Sequence, residues 1–231
     1  MSFLDADVLK MREGGLASAE IINRTLCSIE VNRGDGKRTI ICATGPVHYK
    51  DEHGNFQDID TTIVEEGEVY AMRKSLYEVE FSKVGIPLIK YTIKGKSVSF
   101  RPVGLQFIIG EDTQPFASFN EASAPIVDGS TIKWPNAFGE GIHLQYTCGG
   151  TRLHKDVIVD EFRNLPEVLN PEGVRLELLL EFESDHINLE DYSYLDLNNL
   201  RFEEIGFPVY GGKIHFLPPR YKDSGEQVFP D

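Results

Sequence analysis

Ala43 to Thr62 reads ATGPVHYKDEHGNFQDIDTT. Gly45-Pro46 ends one extended run, because proline fixes φ and donates no hydrogen bond to a ladder. Val47 and Tyr49 then alternate with His48 and Lys50, as in a half-buried strand. Asp51-Glu52-His53-Gly54-Asn55 is turn chemistry, with glycine and asparagine able to take positive φ. Phe56, Asp58 and Asp60 alternate with Gln57, Ile59 and Thr61 on the way back. The stretch predicts a β-hairpin.

The same texture extends in both directions. Twelve Pro and 21 Gly fall between short alternating runs across the 231 residues, which argues against helix. Tyr77, Val79, Phe81 point one way and Glu78, Glu80, Ser82 the other. Further strands are Ile89-Tyr91-Ile93, Val98-Phe100, Ile142-Leu144-Tyr146, Thr151–Asp160 and Val174 to Phe182. Lys94-Gly95-Lys96 forms a hairpin tip. Leu105 to Ile109 is apolar except for Gln106, as in a strand covered on both sides. Residues 110–130 read as a loop, either a connection or a binding element. Trp134 is read as a core or sandwich-edge aromatic, with a sugar-stacking platform as the sharper alternative.

The predicted class is all-β: antiparallel β-sandwiches built from hairpins, preceded by a short N-terminal arm or helix. Residues 1–20 form the arm, 21–163 a sandwich domain, and 164–231 a C-terminal β-rich part packed on the first or separate from it. Within the arm Leu4, Val8 and Met11 stand at i, i+4, i+7 and mark a short amphipathic helix. It packs on its own domain or docks on a neighbouring subunit, in which case these three residues are the interface.

Thr25 to Ala43 is another hairpin, turning at Asn32-Arg33-Gly34-Asp35-Gly36. A two-residue loop at Gly34-Asp35 sets Cys27 opposite Cys42, and one at Asp35-Gly36 makes them diagonal neighbours. Either register keeps both thiols on one face. Cys148 makes the count odd, so two reduced core thiols are expected rather than an oxidised framework.

The charge balance is 23 Lys+Arg against 37 Asp+Glu, a net −14, with no basic tract. Nucleic acid and anionic membranes are disfavoured as partners. Residues 1–20 lack a basic region followed by an apolar core, so no signal peptide is read there.

No motif names a reaction. The six histidines include no HExxH pair and the cysteines no Cys-x-x-Cys spacing, so no zinc is expected. Asp51-x-His53-x-Asn55 imitates the start of a calcium loop, but Phe56 stands where glycine is needed and Thr62 where a bidentate acid is needed. Asp58 and Asp60 share a strand face, and paired carboxylates could cleave a glycoside; solvated β-face acids are the plainer account. No catalytic residue, cofactor or metal is assigned.

Five segments in order carry a resemblance: GPVHYKDEHGNFQDIDTTI (Gly45–Ile63), MRKSLYEVEFSK (Met72–Lys83), WPNAFGEGIHLQYT (Trp134–Thr147), TRLHKDVIVD (Thr151–Asp160) and KIHFLPPRYKDSGE (Lys213–Glu226). Together they resemble modules of long bacterial surface proteins of the RHS and wall-associated type, and uncharacterised phage virion proteins. The resemblance implies an all-β scaffold without a known active-site motif. Such modules usually continue past the last segment, which implies a minimal, free-standing version here. Tyr221-Lys222-Asp223 also echoes Tyr49-Lys50-Asp51.

Without a signal peptide, the phage side of the resemblance is favoured. The expectation is a non-catalytic virion structural protein, made in the host cytoplasm. It would be a capsid decoration or a head, neck or tail component, contacting major capsid or tail proteins and forming a homo-oligomer. The alternative is a carbohydrate-binding or adhesion module on a tail fibre or cell surface, with a glycan as partner.

Overall fold

The computed structural model describes residues 19–93, 95–109, 112–161 and 174–183, and the four short strands within 205–228; for those strands and for Lys96, Val174 and Arg175 only the backbone is described. Leu4, Val8 and Met11, the segment around Asn164–Gly173 and residues 184–204 lie outside the described residues. Every described element is a β-strand, and every ladder between strands is antiparallel.

The described part of the chain opens with a three-stranded sheet of β1 (Glu20–Arg24), β2 (Ser28–Asn32) and β3 (Arg38–Cys42), followed by the hairpin β4 (His48–Lys50) and β5 (Phe56–Asp58). Ile29 and Val31 are fully buried and, with Ala19, form a small core against Ile21, Ile41 and Val47. Here the register differs from expectation. Arg33 N–H bonds the Lys37 carbonyl, Asn32 and Asp35 side chains cap Gly34 and Lys37, and Gly34 and Gly36 both take positive φ. Three residues, not two, lie between the closing pair. Ser28 therefore faces Cys42, while Cys27 accepts from Ala43 N–H. A one-residue slip inverts a strand's faces. The two thiols lie on opposite faces, both free; Cys42 is exposed and Cys27 half-buried, neither a core residue.

The larger core begins at Ile63. One sheet holds β6 (Val64–Glu66), β7 (Val69–Met72), β8 (Glu78–Ser82), β9 (Ile89–Ile93), β10 (Lys96–Ile109) and β11 (Asp112–Ser118). The facing sheet holds β12 (Ile126–Asp128), β13 (Thr131–Trp134), β14 (Ile142–Cys148) and β15 (Leu153–Val159). The strand β16 (Val174–Glu183) joins the first sheet by pairing with β10. The last strands form two separate hairpins, β17 (Ile205–Val209) with β18 (Gly212–Phe216) and β19 (Tyr221–Lys222) with β20 (Gln227–Val228). Tyr and Lys of both Tyr-Lys-Asp triplets are ladder residues.

Alternation puts Val79 and Phe81 of one sheet against Trp134, Leu144 and Tyr146 of the other, all essentially without solvent exposure. The Phe81 ring lies 6.0 Å from Trp134 and 5.6 Å from Tyr146, and Trp134 meets Tyr146 edge-on at 6.2 Å. Each such aromatic removes about 150–250 Å² from water, roughly 4–6 kcal/mol before entropy at ~25 cal/mol per Å². This is the core of a β-sandwich, and Trp134 lies inside it.

The 110–130 region is not a loop: it contains β11 and β12. β11 reads DTQPFAS, with a proline and little alternation, so its own sequence signals no strand. It forms because β10 offers it an edge. Phe116 is the extra residue of a bulge, Leu105 facing Ala117 and Gln106 facing Pro115. An edge strand tolerates the missing proline donor.

β10 organises this sheet. Its first half pairs with β9 (Lys96–Phe100) and its second with β11 (Gly104–Ile109), while β16 runs along it from Ser99 to Ile109. A strand has two edges, so β9 and β11 lie end to end on one edge with β16 along the other. At the joint Val103 bulges, and its carbonyl accepts from Phe119 N–H. A Cβ at the next residue, Gly104, would lie 2.7 Å from the Ala117 carbonyl oxygen, so only glycine admits β11 this closely.

Candidate functional site

The opening hairpin leans on the sandwich at the turn Gly149–Arg152. Ser75 Oγ donates to the Gly150 carbonyl, and the Tyr77 hydroxyl reaches the Gly149 and Arg152 carbonyls at 2.9 and 2.7 Å. A Cβ on Gly150 would touch Ile59, which packs over it. Asp60 N–H bonds the Lys74 carbonyl at 2.7 Å and ties the return strand to the larger sheet. Beside this contact lies a cleft of about 690 Å³, lined by Arg24, Tyr49, Phe56, Asp58, Asp60 and Lys74 among others.

Beneath the hairpin His48 is completely buried. Its Nδ1 lies 2.6 Å from the Thr25 carbonyl, which can only accept, so Nδ1 carries the proton. Nε2 of the neutral ring then accepts from Arg24 Nη1 at 3.0 Å. The same Nη1 donates to Asp58 Oδ1 at 3.1 Å, fixing β1 to β5. Asp51 serves the turn: Oδ1 accepts from His53 and Asn55 N–H, and Oδ2 from Gln57 Nε2. These bonds, that from Gln57 first, hold its carboxyl below the usual carboxylate range. Asp60 is likewise held low, chiefly by the Thr62 side chain and then its N–H, with Lys74 adding to it. Tyr49 is pushed up by desolvation, then by Asp51 and Asp60.

This geometry weighs against glycoside cleavage. Such a reaction needs one carboxyl protonated near neutral pH and the other available to attack. Asp60 is held below the usual carboxylate range, and Asp58 Oδ1 is engaged by Arg24.

Two more polar clusters deserve the same test. His143 Nδ1 accepts from Asn136 N–H at 2.8 Å, so Nε2–H donates to Asp160 at 3.0 Å. Asn136, the one non-glycine with positive φ among the described residues, accepts from Gly141 N–H through Oδ1. Both imidazole nitrogens are occupied, which leaves none to activate a nucleophile; the pair holds the Trp134–Gly141 loop closed. Arg73 gathers Glu66 at 2.7 Å and Glu78 and Glu80 at 3.0 Å, and these carboxylates, Glu66 first, raise the pKa of its guanidinium. Among the described residues no three His, Cys, Asp or Glu side chains converge to hold a metal ion.

The structure thus brings Asp58 and Asp60 to one cleft and removes Trp134 from any surface role. The roles of Arg24, His48 and His143 escaped sequence reasoning. Their partners lie 7 to 34 residues away with no motif between. No protein-family model, curated protein or solved structure matches the chain.

Proposed function

We propose that this chain is a non-catalytic structural protein of a phage virion, a capsid decoration or a head, neck or tail component acting through protein–protein contacts. The observation that carries the reading is how the motif residues are used. Asp51, His48 and Asp58 hold a hairpin, Ser75 and Tyr77 clamp a turn, and Asn136 and His143 close a loop. Side chains that could do chemistry are engaged in architecture, as in an assembly scaffold. The resemblance to virion proteins and the acidic, patternless charge point the same way. The partners are major capsid or tail proteins, and the chain assembles as a symmetric homo-oligomer.

Quantitative mass spectrometry of purified particles tests this, counting the chain against the major capsid protein. A ratio near one, or a simple fraction, supports lattice decoration. A few copies per particle place it at the neck or tail. Absence from particles ends the proposal.

A further inference from the structure

We infer that the cleft beside the opening hairpin is a binding site for an uncharged, hydroxyl-rich ligand, a short oligosaccharide. Its volume of about 690 Å³ falls within the roughly 300–1,000 Å³ usual for small-molecule sites. Its walls decide the class. Arg24 stands against Asp58 and Lys74 against Asp60, so the cations are already matched. A polyanion would find no unmatched positive cluster there, and the largely ionic and amide rim offers little to a lipid.

What the walls do offer suits hydroxyl groups. Asp58 accepts from Arg24 through Oδ1, and Asp60 takes the Thr62 N–H through Oδ1, with its Oδ2 3.9 Å from Lys74 Nζ. The second oxygen of Asp58, and the acceptor capacity of Asp60 not taken by Thr62 and Lys74, remain for neighbouring hydroxyls. Gln57 and Thr61 line the same cleft, adding groups that both donate and accept. Tyr49 is half-buried in the wall, and no hydrogen bond to its hydroxyl and no ring contact is formed among the described residues. A half-buried aromatic body with an unused polar tip can cover the C–H face of a sugar while bonding its rim. Phe56 is already engaged: Lys50 Nζ lies over its ring at 5.1 Å and His48 meets it in a T-shaped contact at 6.4 Å.

This site is distinct from the Trp134 platform considered in the sequence, and it does not depend on the virion reading. The test is a titration of the isotope-labelled full chain with maltotriose, cellotriose and tri-N-acetylchitotriose, each to about 20 mM, so that millimolar affinity registers. The expected result is amide shifts at Tyr49, Gln57–Thr61 and Lys74 with at least one sugar. Tyr49→Ala should weaken that binding about tenfold or more, and Tyr49→Phe less. Should Tyr49→Ala disturb the hairpin, Thr61→Ala in the same lining replaces it and should also weaken binding. Shifts absent from the cleft with all three sugars, or unchanged by these variants, would overturn the proposal. Particle counting leaves this outcome untouched, so the two readings fail separately.

Discussion

The two cores of the protein are held by opposite means. The sandwich places Phe81, Trp134 and Tyr146 in mutual contact and relies on apolar area. Among the described residues the apolar core of the opening unit has only Ala19, Ile29 and Val31 buried, and its hairpin closes over a buried histidine, an arginine and an aspartate. A three-stranded sheet this small cannot stabilise itself by burial alone. Polar pairing supplies the alignment and docking on Gly149–Arg152 supplies the rest. Disturbance should therefore spread differently in the two halves.

The sharpest break is Trp134→Ala, expected to cost about 3–5 kcal/mol, a large part of the ~5–15 kcal/mol of a typical domain. Urea unfolding should show both halves lost, since the hairpin docks on the sandwich. A selective loss of the opening unit would contradict the comparison. His48→Ala should cost about 1–3 kcal/mol, because Arg24 and the Thr25 carbonyl lose a buried partner. Amide exchange should rise across Glu20–Asp58 and stay slow in β8 and β14. Gly104→Ala forces a methyl against the Ala117 carbonyl and should cost a similar ~1–3 kcal/mol, read as exchange in β11 with β9 intact.

Acid should act on the opening half first. Asp51 and Asp60 have folded pKa values below their unfolded ones. Their contribution is fully present above the unfolded value of about 3.9 and is lost as pH falls through the lower folded values. Loosening of Asp51–Thr62 in NMR spectra below about pH 4, with β14 unchanged, is the expected outcome. The smallest effect is Tyr146→Phe. The Tyr146 hydroxyl is fully buried and makes no hydrogen bond among the described residues, so its removal should leave stability unchanged or raise it by up to about 1 kcal/mol. A clear loss would reveal a partner for that oxygen.

The same division governs what could be read from the chain. Strands whose faces differ in hydropathy, such as Tyr77-Val79-Phe81 and Ile142-Leu144-Tyr146, are legible because burial is their cause. β11 was not, since its cause is an edge provided by β10. The Cys27–Cys42 register turned on a single loop residue, which composition cannot count. At the site, the hairpin and its two aspartates were visible in sequence. The buried His48 was not, because what makes it a keystone is Arg24, brought to it only by the packing of β1 against β4.

The joint in β10 has a mechanical meaning. β9 and β11 meet end to end along one edge, and such a butt joint would open like a hinge if nothing crossed it. β16 crosses it, with ten paired positions straddling the Val103 bulge. It acts as a splint. A pull along β16 loads those backbone bonds together in shear instead of peeling them one by one, so the most irregular point of the sheet is also the point reinforced against tension.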